Sequence, residues 1–401
     1  MTIVEMELTP EIAAAQDLEE AVHFLDLEPR VSQRLHQPER EIQTNLQLNC
    51  DDGSTKMTRA IRVQHSFARG LCMGPLMISK TISPADLRAI AMKSTWQWAL
   101  WGLPFGGAAA AINCDADELS ERELKQLLRT FFRSMQGLPG ASADVVTPGS
   151  GLPSQVMAWA LDRHPDNSFD SLARMTGKPA SLQGVDRNHI AGVFVRELVG
   201  VVMRNVGAQL AGKHVAVIGF DSQAQSIATE FEKAGCRIIA VSDGSGAIHH
   251  HSGINIEMLR RHVANGQVIY GYPEATASTF DELLNEPCDL MIIADGQKLS
   301  MKPRARMIVE VNGTCDPSCS RDVMIIPEIV ASFGLRFADY LEWRKAINGT
   351  LSDFEMKRAL RSHVRTCWDD VSNYAKAHEM SLRRAALTLG IARVAEAIRM
   401  T

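Results

Sequence analysis

Gly219-Phe220-Asp221-Ser222-Gln223-Ala224 has the spacing of a phosphate-binding turn, Gly-x-Gly-x-x-Gly/Ala, with an aspartate where the middle glycine belongs. That glycine normally lets backbone approach a pyrophosphate, which sits at the positive end of the following helix. A carboxylate at Asp221 would instead cap the helix itself and repel a dinucleotide. Ala224 is a permitted ending, and Asp243 matches the acidic residue expected at the end of the second strand, so the nucleotide pattern is degraded rather than erased. A second stretch, Pro104-Phe105-Gly106-Gly107-Ala108-Ala109-Ala110-Ala111, is glycine-rich but carries no ionisable side chain. Elsewhere no nucleophile and base pair stands out. Cys72 and His65 lie close in sequence, but a buried structural thiol is the expectation there. His249-His250-His251 follows a Gly-Ser-Gly turn and reads as a solvated hairpin tip rather than a metal site. Cys315-Asp316-Pro317-Ser318-Cys319 has the wrong spacing for a zinc knuckle and reads as a loop.

The elements that must position these residues are legible. Residues 12 to 26 have helical apolar spacing, and 42 to 65 alternate like a hairpin around Asp51-Asp52-Gly53-Ser54. Ser83-Pro84-Ala85-Asp86 opens a helix running through Met92 toward Trp101, with serine as cap and proline at the first position. Ser120-Glu121-Arg122-Glu123 spells a capping box for a helix reaching about Met135. Further on, 214 to 220 reads as a buried parallel strand, 223 to 234 as a helix and 237 to 243 as the next strand, the unit that begins a Rossmann domain. Apolar strands at 290 to 294 and 307 to 311 extend that sheet.

These stretches, taken together, resemble the Glu/Leu/Phe/Val amino-acid dehydrogenase family. The resemblance runs through Pro38-Glu39-Arg40, Arg62-Val63-Gln64-His65-Ser66, Ala68-Arg69-Gly70, the glycine-rich segment, Met157-Ala158-Trp159, Thr176-Gly177-Lys178-Pro179, Val241-Ser242-Asp243, Glu342-Trp343 and Arg393-Val394-Ala395-Glu396-Ala397. It implies two α/β domains, the first for oligomerisation and substrate and the second a Rossmann-like, doubly wound nucleotide domain. The corresponding boundaries are 1–185 and 186–344, with about 345–401 returning as helices to complete the first domain.

The resemblance also implies which groups are missing. In that family one lysine holds the substrate carboxylate, a second assists, a third polarises the reacting carbon, and an aspartate moves the proton. Those positions fall on Met73, Gln97, Ala109 and Gly149. A methyl group at Ala109 can neither polarise a carbonyl nor bind a carboxylate. The only lysines between Cys72 and Gly107 are Lys80 and Lys93, and neither is well placed to substitute. Loss of one oxyanion-type stabiliser alone costs about a hundred- to a thousandfold in rate. Asp339 takes the place of a substrate-contacting serine, Ala191 that of a threonine beside the nicotinamide and Ser332 that of an asparagine, whereas Asn312-Gly313 is kept. An added carboxylate would favour a neutral or cationic ligand; the alternative is that Asp339 pairs with Arg336 or caps a helix.

Composition agrees. A chain of 401 residues, 45% hydrophobic and 22% charged, can build two ordinary cores. A net charge of -5 gives no reason to expect nucleic acid or an anionic membrane. The first twenty residues lack a signal-peptide pattern, no span is apolar enough for a membrane, and eight scattered cysteines suggest reduced thiols, so a cytoplasmic location is expected. The expectation from sequence is a family member that has lost amino-acid oxidation and acts as a binding, regulatory or assembly subunit. It would bind NAD(P) weakly or not at all, and would form a homo-oligomer or a complex with an active relative. The alternative is an active NAD(P)-dependent oxidoreductase with an altered substrate.

Overall fold

The structure, a computed structural model, describes residues 10–134, 144–149, 152, 154–161, 172–316, 323–349 and 351–401. The chain divides into two units: one takes the described residues up to Val185 with Asp339–Ser352 and Leu387–Thr401, the other Asp186–Ala338 with Asp353–Ala386.

In the first unit, α1 (Pro10–Phe24) and α2 (Pro29–His36) precede the hairpin of β1 (Arg40–Asn49) and β2 (Thr55–Gln64). Its register runs from Arg40↔Gln64 to Asn49↔Thr55, and Gly53 closes the turn at φ 83, a conformation that favours glycine. β3 (Cys72–Ile78), α3 (Pro84–Leu100), β4 (Gly106–Ile112), α4 (Glu121–Ser134), β5 (Asp144–Pro148) and α5 (Ser154–Leu161) follow. Both capping boxes form. Ser83 Oγ accepts the Asp86 N–H at 3.1 Å while Asp86 accepts the Ser83 N–H at 3.0 Å; Ser120 and Glu123 exchange the same pair at 3.2 and 2.8 Å.

The strands order as β1-β2-β4-β3-β5, with β4, β3 and β5 parallel. β4 is buried on both faces, and period-two alternation sorts its side chains. Ala109 and Ala111 join Val63 and the α3 residues Leu87 and Ala91. Ala110 and Ile112 join Leu46, Leu76 and the α4 residues Leu127, Leu128 and Phe131.

The second unit begins with α6 (Arg187–Asn205), β6 (His214–Ile218), α7 (Ser222–Lys233), β7 (Arg237–Asp243), β8 (Gly246–His249), α8 (Ile256–Ala264), β9 (Thr276–Ser278) and α9 (Phe280–Asn285). Then come β10 (Cys288–Leu299), β11 (Ala305–Cys315), β12 (Met324–Ile326) and α10 (Glu328–Ala331). The sheet order is β12-β11-β10-β6-β7-β8-β9, parallel through β7 and antiparallel at the β8 and β9 edge. β10 and β11 run well past the apolar stretches that announce them, because Lys298↔Thr314 and Leu299↔Cys315 pair beyond a register shift. The histidine triplet is also placed differently from expectation. The hairpin tip is Gly244-Ser245, while His249 ends β8 at the opposite end and is only partly exposed. Of the cysteine pair read as a loop, Cys315 ends β11 and Cys319 lies outside the described residues.

α11 (Gly334–Asn348) carries the division between units. α12 (Asp353–Ala377) packs on α6 in the second unit, where Arg361 Nε lies 3.3 Å from Glu197 Oε1. α13 (Leu382–Met400) enters the first unit at Leu387, and there Arg393 donates to the Leu100 carbonyl at 2.5 Å, satisfying the end of α3. No helix among the described residues is long and apolar enough to cross a membrane.

Candidate functional site

Adjacent strands bring Met73, Ala109 and Gly149 into one neighbourhood. Met73 on β3 pairs with Gly107, two residues before Ala109 on β4, and Gly149 follows β5 and donates its N–H to the Leu76 carbonyl at 2.9 Å. Gln97 lies on α3 beside Trp98, whose indole N–H donates to the Met73 carbonyl at 3.3 Å. Met73, Gln97 and Ala109 are buried. Ala109 fills an apolar cluster with Val63, Leu87 and Ala91, so the position holds packing, not charge. At Gly149 a Cβ would stand 2.5 Å from the Leu76 carbonyl oxygen and 2.8 Å from Met77 Cγ, so the backbone is set for glycine.

Two cations approach these strands and both are engaged. Arg62 makes a bidentate pair with Asp144, at 3.1 and 2.6 Å, and donates to the Gly74 and Val145 carbonyls, bracing β2 against β3 and β5. Lys178 Nζ sits 2.7 Å from Glu342 Oε1, both side chains fully buried, and donates to the Leu172 and Met175 carbonyls. Burial pushes the Lys178 ammonium below the usual lysine range, while Glu342 and then Asp339 hold it up. Glu342 also accepts the backbone N–H groups of Lys178 and Val185. Asp339, one turn earlier on α11, accepts the Thr176 hydroxyl at 2.6 Å. The two acids of α11 thus clamp the turn Thr176-Gly177-Lys178-Pro179. Asp339 is the sixth residue of its helix and does not cap it.

His65 and Cys72 form no reactive pair. His65 Nδ1 is 2.9 Å from Thr95 Oγ1 and its Nε2 is 2.9 Å from the Leu35 carbonyl; burial lowers its pKa to about 4. The same Thr95 hydroxyl accepts the Gly107 N–H at 2.9 Å, so this network ties α2 and α3 to the glycine-rich strand. The Cys72 thiol donates to the Ser66 carbonyl, and burial pushes its pKa far up.

In the second unit Asp221 is the N-cap of α7, its Oδ1 accepting the Ala224 N–H at 2.8 Å. Ala224 itself is buried in that first turn. Gly219 turns the chain at φ 95 with no room for a Cβ, which would meet Asp295 Cβ at 2.8 Å. Asp295, on β10 just past its last pairing with β6, is a residue that the sequence pattern does not flag. Burial raises its carboxyl above the usual carboxylate range and the nearby Asp221 adds to this. The turn therefore presents two carboxylates where a pyrophosphate requires backbone N–H groups. Asp243 folds back on its own turn, Oδ1 accepting from the Ser245 N–H at 2.7 Å and hydroxyl at 2.6 Å. Asn312 is exposed on β11 opposite Ala294. Ala191 packs against Gly334, and Ser332 ends α10.

Residues 38–165 match the model of the Glu/Leu/Phe/Val dehydrogenase dimerisation domain, and residues 184–401 match that of glutamate/leucine/phenylalanine/valine dehydrogenase. A glutamate dehydrogenase of Thermotoga maritima is 29% identical over 399 residues, covering 96% of each chain. Among solved structures, the hetero-hexameric glutamate dehydrogenase of Thermus thermophilus in its Leu-bound form aligns with a TM-score of 0.87, at 25% identity over 99% of this chain and 98% of that one. Glutamate dehydrogenase of Peptoniphilus asaccharolyticus has the same fold, with a TM-score of 0.83 at 23% identity, covering 98% and 99%. With family matches spanning both units, the chain belongs to the Glu/Leu/Phe/Val dehydrogenase family.

Proposed function

We propose that this chain is a member of its family that does not oxidise amino acids and works as a binding, regulatory or assembly subunit. The observation that carries the reading is Ala109, buried in an apolar cluster where the family resemblance puts a reacting lysine. Met73, Gln97 and Gly149 extend it, and the nearby Arg62 and Lys178 are already paired with Asp144 and Glu342. A free amino acid would bring a carboxylate to a place where the nearby described cations, Arg62 and Lys178, are already engaged, so a small neutral or cationic molecule is the favoured ligand class.

NAD(P) binds weakly or not at all in this reading, because Asp221 and Asp295 do not fit a pyrophosphate. Association is with copies of itself or with an active relative. Support comes from the dimerisation-domain match and from the likeness to a hetero-hexameric enzyme. Free buried thiols support a cytoplasmic setting.

The test is an oxidation screen of the purified protein with glutamate, leucine, valine and phenylalanine and either NAD or NADP, paired with light scattering alone and after mixing with an active family member. No substrate-dependent NAD(P)H and a stable oligomer are expected. Robust turnover that mutation of the Met73 and Gln97 pocket abolishes would favour the altered oxidoreductase instead. A strict monomer that ignores the active relative removes the assembly role.

A further inference from the structure

At the antiparallel edge of the second unit's sheet, three metal-type ligands converge away from both clusters described above. β8 ends on His249, and His251 follows two residues later with its ring edge-on to that of His249, centroids 4.3 Å apart at 84°. Glu286 caps the carboxyl end of α9, a helix packed against β7 and β8, and its Oε1 lies 3.4 Å from His249 Nε2. One nitrogen of each histidine and one carboxylate oxygen all lie within 4.8 Å of one another.

The His249 Nε2 atom is buried and makes no hydrogen bond, although Glu286 Oε1 stands only 3.4 Å away. A buried ring nitrogen in that state is costly unless something binds it. Around a tetrahedral zinc with bonds of about 2.0–2.1 Å, ligand atoms stand about 3.3 Å from each other. The His249 and Glu286 spacing of 3.4 Å is close to this value, and a ring nitrogen of His251, the exposed member, lies within 4.8 Å of both ligand atoms. Two imidazoles and one carboxylate suit zinc-class ions, whereas calcium and magnesium prefer sets made of oxygen.

We propose that His249, His251 and Glu286 bind one zinc-class dication. The ion clips the end of β8 to the end of α9 and leaves its remaining coordination position to water. Because β8 is the return strand of the hairpin that starts at Asp243, the clip fixes the strand pair Asp243↔Gly246 to Ala240↔His249 against α9.

The experiment is calorimetric titration of the full-length, tag-free, chelator-stripped protein with zinc chloride in a non-coordinating buffer. One equivalent with a Kd on the order of 1 μM or below is expected, with a zinc-dependent rise in Tm. His251→Ala and Glu286→Gln, each checked for folding by circular dichroism, should weaken binding at least about tenfold, while His378→Ala in the turn after α12 leaves it unchanged. Cobalt(II) provides a second probe, giving visible absorption in the wild type that His251→Ala abolishes. A Kd weaker than about 1 mM, or a Kd unmoved by both site substitutions, overturns the proposal.

Discussion

The Asp221 carboxylate accepts the Ala224 backbone N–H at 2.8 Å, so the positive end of α7 is already occupied by an anion from the chain itself. Asp221→Gly should therefore raise NAD affinity at least about tenfold in calorimetry, since it frees that N–H and removes a like charge beside Asp295. Glycine at an N-cap costs only about a few tenths of a kcal/mol, so Tm should barely move. Micromolar NAD binding by the wild type that glycine does not improve would contradict this account of the turn.

Gly149→Asp is expected to destabilise the first unit. Its Cβ would stand 2.5 Å from the Leu76 carbonyl oxygen, a backbone atom that cannot step aside, unlike the flexible Met77 side chain. A loss of about 1–3 kcal/mol is expected from such overpacking, and Gly149→Ala should share it. Equal urea midpoints for the aspartate variant and the wild type would show that the strand end relaxes freely.

His65 makes stability depend on pH. Burial lowers its folded pKa to about 4, against the Leu35 carbonyl and with help from His36, while the unfolded chain titrates near 6.5. The unfolded state thus binds the proton more readily, so this contribution is complete above about pH 6.5 and is lost as pH falls toward 4. The difference corresponds to about 3 kcal/mol. Denaturation midpoints between pH 7 and pH 4.5 should fall accordingly, and His65→Gln should be less stable at pH 7 but lack this part of the slope.

The fully buried Lys178 and Glu342 are worth more as a pair than as two residues. Removing one partner by Glu342→Gln or Lys178→Met should cost about 3–5 kcal/mol, because a buried charge is left uncompensated. The double variant should recover part of that loss. Additive single effects in a double-mutant cycle would rule out the coupling.

How much of this is legible in the sequence depends on distance along the chain. Ser83 and Ser120 announce helix starts because capping is settled within four residues. Asp221 announces its cap for the same reason. The alternate sorting of β4 side chains into two clusters hides in a run of alanines, which have no polar member to mark a face. The Lys178 and Glu342 pair joins residues 164 apart, and Asp295 reaches Gly219 only through the order of β10 and β6, so neither has a local signal. His249 to His251 read as a tip because the Gly-Ser-Gly turn is adjacent in sequence. The β7 and β8 register carries them to the other end.

The crowding of glycines around β4 has an evolutionary side. A Cβ at Gly74 would stand 1.7 Å from the Ala108 carbonyl oxygen, one at Gly106 1.7 Å from that of Ser66 and one at Gly107 2.1 Å from that of Ala91. Backbone meets backbone at each place, so no rotamer change relieves the clash. These glycines are required for the chain to fold whatever it catalyses, whereas a lysine at position 109 answers only to catalysis. In the function proposed above, drift erases reactive side chains and leaves the glycine frame intact. A fingerprint read from such glycines therefore records ancestry and architecture, and chemistry has to be read from the side chains set between them.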